Sequence, residues 1–193
     1  MAKVEKKPHK EMTPPVKSAP KPHILLVTAI AANELESCDF SFEITHEIDF
    51  PYDDIEKIRS INRRRKNYGF DPASAVDESS GKSALFAARV DKRLVGFALI
   101  VESWNGMAEI AEIAVDRNAR GQGVGMILLG ATEEWAQEQG FHFIRLETQS
   151  TNPAACKLYA RAGYRLEGFD RMLYANSENA GETALFWYRN LKA

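Results

Sequence analysis

Three glycines, Gly121, Gly123 and Gly125, follow the apolar segment 113–115 and precede a stretch with helical periodicity. Because glycine has no side chain to block an approaching anion, backbone N–H groups at such a turn can point at that anion. The N-terminus of a helix adds partial positive charge, and Arg120 adds a full one. The pattern favours a site for a phosphate or pyrophosphate group, with an ordinary strand-to-helix turn as the alternative.

Two other phosphate-binding glycine loops fit less well. The chain has no Gly-x-x-x-x-Gly-Lys-Ser/Thr sequence, which excludes a P-loop nucleotide triphosphatase. Met126 stands where the dinucleotide fingerprint Gly-x-Gly-x-x-Gly requires its third glycine. Glu147 does lie where a ribose-binding acid would follow such a loop, so a dinucleotide-binding domain stays open as a rival interpretation.

Length and composition predict one globular domain preceded by a tail. The 193 residues are 45% hydrophobic and 27% charged, with a net charge of −2, so no global field favours nucleic acid or an anionic membrane. Residues 1–22 hold six lysines, two glutamates and five of the eight prolines. Such a composition cannot offset the entropy lost on ordering, so we expect a flexible basic tail over 1–22 and a single domain over 23–193.

Cysteine and histidine usage predicts a reduced, cytoplasmic protein without a metal. Cys38 and Cys156 have no paired spacing, and the four histidines form no metal-binding pattern. Lysines followed by the apolar segment 24–31 imitate a signal peptide, but the basic stretch is long and interrupted by prolines. No apolar run approaches the roughly 20 residues of a membrane span.

Periodicity and turn residues predict an alternation of strands and helices around the glycine loop. We expect strands at 24–29, 41–49, 85–90, 94–103, 107–115, 141–147, 164–174 and 183–191. Helices are expected at 31–37, at 52–66, from the glycine loop to Gly140, and at 153–163. The helix after the loop would bury Val124, Ile127, Leu128, Ala131 and Trp135, and residues 67–83 would form the most mobile loop.

The sequence Arg-x-x-Gly-x-Gly from Arg120 to Gly125 resembles the acetyl-CoA loop of the GNAT family of N-acetyltransferases. The order of elements agrees over nearly all of residues 23–193. Several C-terminal sequences are similar to the streptothricin acetyltransferase branch: Leu146-Glu-Thr-Gln149, Asn152, Ala155-Cys-Lys-Leu-Tyr159, Gly163-Tyr164, Met172-Leu-Tyr-Ala-Asn176 and Ala184-Leu-Phe-Trp-Tyr188, with Trp104-Asn105 agreeing.

The resemblance implies an α/β (α+β) GNAT fold. This fold has a mixed, mostly antiparallel sheet of about seven strands, flanked by about four helices and splayed between its fourth and fifth strands. Here those two strands are predicted at 107–115 and 141–147. Acetyl-CoA would be the cosubstrate, its pantetheine arm lying between them. The implied cofactor-binding residues are Ile113, Ala114, Val115, Arg120, Gly121, Gln122, Gly123, Val124, Gly125, Met126 and Asn152.

The implied chemistry is direct attack of a neutral amine on the thioester, without a covalent enzyme intermediate or a metal. Tyr159 resembles the family's general acid, and a packed aromatic is the alternative. Glu112 and Glu147 are the candidate bases; either one would also attract a cationic amine or merely be solvated. Trp104, Asn105 and Glu112 are the candidate acceptor-binding residues. Cys156 receives no role.

The acceptor is open at the level of sequence. The first candidate acceptor is a streptothricin-type antibiotic, and the second is a peptide or protein amine. The alternative to an enzyme is a non-catalytic acyl-CoA-binding module. Ala111 stands where a second acid is expected, and Arg63 to Lys66 are basic where relatives tend to be acidic; such a run is usually a solvated helix face. The expected partner is a small-molecule amine, with a homodimer possible and nucleic acid or membrane not expected.

Overall fold

The computed structural model describes residues 21–67 and 81–192. Its strands are β1 (His23–Val27), β2 (Phe42–Ile48), β3 (Ile58–Lys66), β4 (Ser83–Val90), β5 (Arg93–Glu102), β6 (Ala108–Val115), β7 (Phe143–Gln149), β8 (Arg165–Asp170) and β9 (Ala184–Asn190). Its helices are α1 (Ala32–Glu36), α2 (Val124–Glu138) and α3 (Pro153–Arg161), with a 3₁₀ turn at Arg117–Ala119. Most of the predicted tail and of the predicted loop at 67–83 lies outside the described residues.

Seven of the strands form one sheet in the order β1-β4-β5-β6-β7-β9-β8, and β2 and β3 form a separate pair. All neighbours in the large sheet are antiparallel except β6 and β7, which are parallel. A parallel pair needs a crossover connection, and α2 provides it. The predicted mixed, mostly antiparallel sheet of seven strands is confirmed, with three α-helices in the described residues instead of about four.

The core lies on both faces of the sheet. On one face α2 and α3 bury the larger cluster, whose fully buried side chains include Leu128, Ile144 and Trp187. On the other face a smaller cluster around Leu85 and Phe97 packs beneath α1. None of the helices formed by residues 21–67 and 81–192 is long and apolar enough to cross a membrane.

The predicted buried face of α2 is partly wrong. Val124 and Leu128 are buried as expected, but Ile127 is 41% exposed, whereas Leu129 and Ala136 are fully enclosed. The helix is therefore rotated relative to the predicted apolar stripe. At the start of the helix, Leu158 of α3 packs against Gly125, so there the side of α2 facing α3 is covered as well as the side facing the sheet.

The helix predicted at 52–66 is also wrong, because residues 58–66 form β3, antiparallel to β2. The pairing places Glu43 opposite Arg65 and Glu47 opposite Arg59. Arg59 forms an ion pair with Glu47, and Arg63 with Glu43. Opposite charges across a strand pair stabilise it, and this long-range partner outweighs the local helical spacing of the isoleucines.

Candidate active site

A wedge-shaped opening separates β6 from β7. The two strands pair only where 108–110 lie beside 144–146, and beyond Ile110 and Leu146 their ladder ends. We call the opening between 111–115 and 147–149 the notch. Backbone groups of β6 that would otherwise bond to β7 are exposed there, so an extended ligand could pair with them as an added strand does. The predicted splay between these two strands is confirmed.

A glycine-rich turn at 120–124, the cradle loop, connects the open end of β6 to α2. Gly121 and Gly123 have φ angles of +74° and +84°, a region that side chains disfavour, and a Cβ on either would meet no atom within 4 Å. Gly123 is the N-cap of α2, and no side chain of the described residues caps that helix. The N–H groups of its first turn are therefore available to an anion.

Arg120 supports the cradle loop from behind. Its guanidinium donates to the carbonyl oxygens of Val115, at 3.0 Å, and Phe40, at 2.9 Å. These bonds tie the end of β6 to the segment before β2. The sequence analysis assigned Arg120 to cofactor binding. In the structure its side chain binds backbone carbonyl groups, and its positive charge lies beside the loop.

Gly125 is placed for packing. A Cβ there would lie 2.9 Å from Cδ2 of Leu158 in α3, so the missing side chain lets the two helices approach each other closely.

Asn152 begins α3, and its side chain accepts a hydrogen bond from the Ala155 N–H at 3.2 Å, the expected N-cap geometry. Both helices thereby flank the notch.

A β-bulge at Ala111 orients Glu112. Ile110 pairs with Ile100 and Glu112 pairs with Leu99, which leaves Ala111 as the extra residue in β6. Without the bulge, Glu112 would share the core face with Ile110. With it, Glu112 shares the face of Leu99, which is the opposite face of the sheet from α2 and α3.

Glu112 and Glu147 occupy the two sides of the notch. Burial raises the pKa of Glu112, and the negative charge of Glu147 raises it further. Burial is also the main cause of the raised pKa of Glu147, opposed by a hydrogen bond from Tyr174 and by the charge of Lys66. Two desolvated carboxylates at one opening form a strong site for a cationic or proton-donating ligand.

The segment after β8 holds Glu147 in place. We predicted a strand over 164–174, but β8 ends at Asp170 and residues 171–181 form turns. These turns bring the Tyr174 hydroxyl to Glu147, to which it donates a hydrogen bond, and it accepts one from Gln149 Nε2 at 2.7 Å. Sequence reasoning missed the contact, although Tyr174 lies in one of the sequences that carried the resemblance.

The basic run Arg63 to Lys66 alternates between two sides of β3. Arg63 pairs with Glu43, and Arg65 with Asp39. Arg64 and Lys66 point the other way, and each forms an ion pair of 2.6 Å with Glu182, which is 3% exposed and lies just before β9. The expected helix is therefore wrong, because the residues are in a strand. Arg63, Arg64 and Arg65 are exposed, as expected of a solvated face, and each basic residue of the run has an acidic partner.

Tyr159 lies in α3 beneath the notch. It is 5% exposed and packs edge-to-face on Trp187, with ring centroids 6.0 Å apart. Burial raises its pKa above the ordinary value, followed by the effects of Cys156, Glu147 and Glu112. Cys156 is fully buried and its pKa is raised to about 12, so its thiol is protonated at neutral pH.

Trp104 and Asn105 are not brought to the notch. They lie in the turn between β5 and β6, where Asn105 accepts a hydrogen bond from the Met107 N–H. Glu112 in the notch lies about 13 Å of strand beyond Ala108, away from that turn. The side chain of Trp104 is 90% exposed in that turn.

The arrangement combines three chemical capacities at one opening. The cradle loop offers backbone donors to a phosphate, the open strand offers backbone partners to an amide-containing chain, and the carboxylates can hold or deprotonate an amine. Tyr159 adds a buried proton donor. In residues 21–67 and 81–192 no group of three or more acidic, histidine or cysteine side chains is arranged to hold a metal ion.

Comparison with proteins of known sequence identifies the relatives. A streptothricin acetyltransferase from Escherichia coli is 38% identical over 131 residues, which are 67% of this chain and 72% of the relative. Streptothricin acetyltransferase A from Bacillus subtilis (strain 168) is 41% identical over 111 residues, 58% of this chain and 64% of the relative.

Solved structures agree. A protein of Bacillus anthracis str. Ames, assigned as a streptothricin acetyltransferase and solved with acetyl coenzyme A, superposes with a TM-score of 0.73 at 26% identity, covering 87% of this chain and 99% of its own. Nourseothricin acetyltransferase gives 0.69 at 25% identity, covering 89% and 99%. The sequence model of the acetyltransferase (GNAT) family matches residues 42–164 of this chain. The chain therefore belongs to the GNAT family and is an acetyl-CoA-dependent N-acetyltransferase.

Proposed function

We propose that this enzyme transfers the acetyl group of acetyl-CoA to a primary amine of a streptothricin-type antibiotic, by direct attack in a ternary complex. The names of its relatives support the acceptor class. The observation that carries the proposal is the pair of desolvated carboxylates, Glu112 and Glu147, on the face of the notch opposite α2 and α3. A cationic amine entering from that face meets two negative charges.

The cosubstrate fits the other side of the notch. The N–H groups at 122–126 would hold the pyrophosphate, and the open backbone of Ile113 to Val115 would pair with the pantetheine amides. Asn152 keeps its N-cap bond and lies at the start of α3, beside that path. Acetyl-CoA supplies the activated thioester carbonyl; the residues of this chain position it and move protons.

Glu112 is the proposed base. An ammonium group must lose a proton before it can attack, and a carboxylate with a raised pKa accepts protons more readily than an ordinary one. Among the described residues no cation forms an ion pair with Glu112. Glu147, fixed by Tyr174, is proposed to bind the ammonium group of the acceptor instead.

Tyr159 is the proposed acid. Its raised pKa keeps the phenol protonated at neutral pH, so the proton is available when the thiolate leaves. A thiolate leaving in the same enclosed space is also desolvated, which raises its own affinity for a proton. Burial therefore raises the proton affinity of the leaving thiolate as well as that of the phenol, so the phenol can still give up its proton.

The basic run does not oppose a cationic acceptor. Arg63 and Arg65 pair with acids on the outer side of β3, and Arg64 and Lys66 share Glu182. The described charges beside Glu147 include Glu109, Glu112 and Glu182 as well as Lys66, so acids outnumber bases there. A polyamine chain can therefore approach this face.

The experiment is free CoA release from acetyl-CoA on mixing the purified enzyme with streptothricin, beside a panel of lysine-terminated peptides. Fast release with streptothricin and a product heavier by one acetyl group support the proposal. Release with peptides alone assigns a peptide amine as the acceptor. Release with neither, in the presence of demonstrated acetyl-CoA binding, refutes both acceptor classes.

A further inference from the structure

The feature that the mechanism above does not use is the ion triad formed by Arg64, Lys66 and Glu182. Glu182 is 3% exposed and Lys66 is 11% exposed, while Arg64 is 49% exposed. The triad therefore has an inner cation and an outer one on the same carboxylate. A buried carboxylate with two cations is a costly arrangement, and its position beside the notch points to a role other than stability.

The triad lies next to Glu147 through β9. Glu182 is two residues before Ala184, which pairs with Gln149, and Phe186 pairs with Glu147 itself. The Tyr174 hydroxyl bridges Gln149 and Glu147 across the same strand end. Lys66 therefore brings a fixed positive charge from β3 to the side of the notch where Glu147 lies.

We propose that Lys66, held by Glu182, is a positioning residue that keeps Glu147 in its ionised form and thereby sets the lower pH limit for binding of a cationic acceptor. This inference rests on the proposed function, in which Glu147 binds the ammonium group. It also explains why a site that must attract cations contains a basic residue of β3: the buried charge of Lys66 keeps Glu147, the acceptor-binding carboxylate, ionised.

Burial has the largest effect on the pKa of Glu147 and raises it, and the charged and titratable groups around Glu147 act in both directions. The hydrogen bond from Tyr174 and the charge of Lys66 lower the pKa of Glu147, whereas Glu109 and Glu182 raise it. The charge of Glu147 in turn raises the pKa values of Glu112 and Tyr159. Among the described residues, Lys66 rather than Arg64 is the cation that lowers the pKa of Glu147. The two members of the triad can therefore be separated experimentally.

The test compares Lys66→Met with Arg64→Met, since each substitution removes one 2.6 Å ion pair with Glu182. The readout is kcat/KM for streptothricin against pH. At the pH where the unaltered enzyme is half-maximal on the acid side, Lys66→Met is expected to lower kcat/KM about threefold, through KM, with no change on the alkaline plateau. Arg64→Met should leave the position of the acid limb unchanged.

A second readout does not need acetyl transfer. Carbon-13 NMR of the glutamate side-chain carboxyls, assigned with Glu147→Gln, follows the titration of Glu147 directly. The midpoint should move to higher pH in Lys66→Met and stay in place in Arg64→Met. If Lys66→Met does not fold, Lys66→Gln retains a hydrogen-bond donor for Glu182 without the charge.

The outcomes separate this inference from the proposed function. An unmoved midpoint in the Lys66 variant, or equal shifts in both variants, overturns the role of Lys66. A shifted midpoint in an enzyme that acetylates no streptothricin supports the electrostatic role of Lys66 and refutes the acceptor instead. Loss of kcat on the alkaline plateau in both variants alike would show that the triad only holds β3 in place.

Discussion

Burial raises the pKa of Glu112, and the negative charge of Glu147, across the notch between β6 and β7, raises it further. If Glu112 is the base and Glu147 the acceptor-binding acid, Glu147→Gln should remove that repulsion and lower the pKa of Glu112. The acid limb of kcat then moves to lower pH, while KM for a cationic acceptor rises about tenfold.

Glu112→Gln should have the opposite signature. Without a base, kcat falls about 100-fold or more, and KM changes little. Steady-state kinetics of both variants over the same pH range measure this difference. If Glu147→Gln loses kcat and Glu112→Gln mainly raises KM, the two assigned roles are reversed.

The same burial should make Glu112 costly for stability. Its pKa is raised in the folded protein, so the folded state binds more protons than the unfolded state between the ordinary and the raised pKa. Stability therefore falls as pH rises through that window and stays reduced above it. Glu112→Gln is expected to raise Tm by a few degrees at neutral pH and to leave it unchanged below about pH 4.

Thermal unfolding at pH 7 and at a pH below the window checks this prediction. Glu109→Gln is the matched control: Glu109 is on the same strand, but it forms an ion pair with Arg145 at 2.9 Å. Removing that carboxylate breaks a partnered interaction and should not raise Tm. A lower Tm for Glu112→Gln at neutral pH would contradict the desolvation argument.

The parts of the site that could be predicted from sequence are local in the chain. The cradle loop, the start of α2 and the N-cap of α3 each lie within about ten residues, and the conformations of Gly121, Gly123 and Asn152 follow from residue type. The splay between β6 and β7 followed from the resemblance. The structure confirms these local conformations and also the splay.

The acceptor side could not be predicted in the same way, because its contacts join distant residues. Lys66, Glu147 and Glu182 come from β3, β7 and the segment before β9, and no local pattern places them together. The helical spacing at 52–66 was misleading, since the deciding interactions are with β2. The bulge at Ala111, which turns Glu112 to the acceptor side, also has no signal in residue type.

Tyr159→Phe removes one hydroxyl from a buried ring. The ring packing on Trp187 is retained, so the fold and the binding of acetyl-CoA should change little. Turnover should fall about 100-fold if the phenol gives its proton to the thiolate. Isothermal titration with acetyl-CoA and kcat measured on the same preparation separate the two effects. Tyr164→Phe, which alters a neighbouring buried tyrosine, is the control and should retain kcat. Undiminished turnover in Tyr159→Phe would remove Tyr159 from the mechanism.

Gly123→Asp tests the cradle loop by placing a carboxylate where a phosphate is expected. Gly123 and Gly140 lie at opposite ends of α2, with φ angles of +84° and +85°, and a Cβ at either meets no atom within 4 Å. The two substitutions therefore impose similar backbone strain in similar open space. Gly123→Asp should abolish detectable acetyl-CoA binding through repulsion of the pyrophosphate, whereas Gly140→Asp should bind acetyl-CoA within about twofold of the unaltered enzyme. Isothermal titration measures both. Equal losses in both variants would attribute the effect to strain in α2, and undiminished affinity in Gly123→Asp would place the pyrophosphate elsewhere.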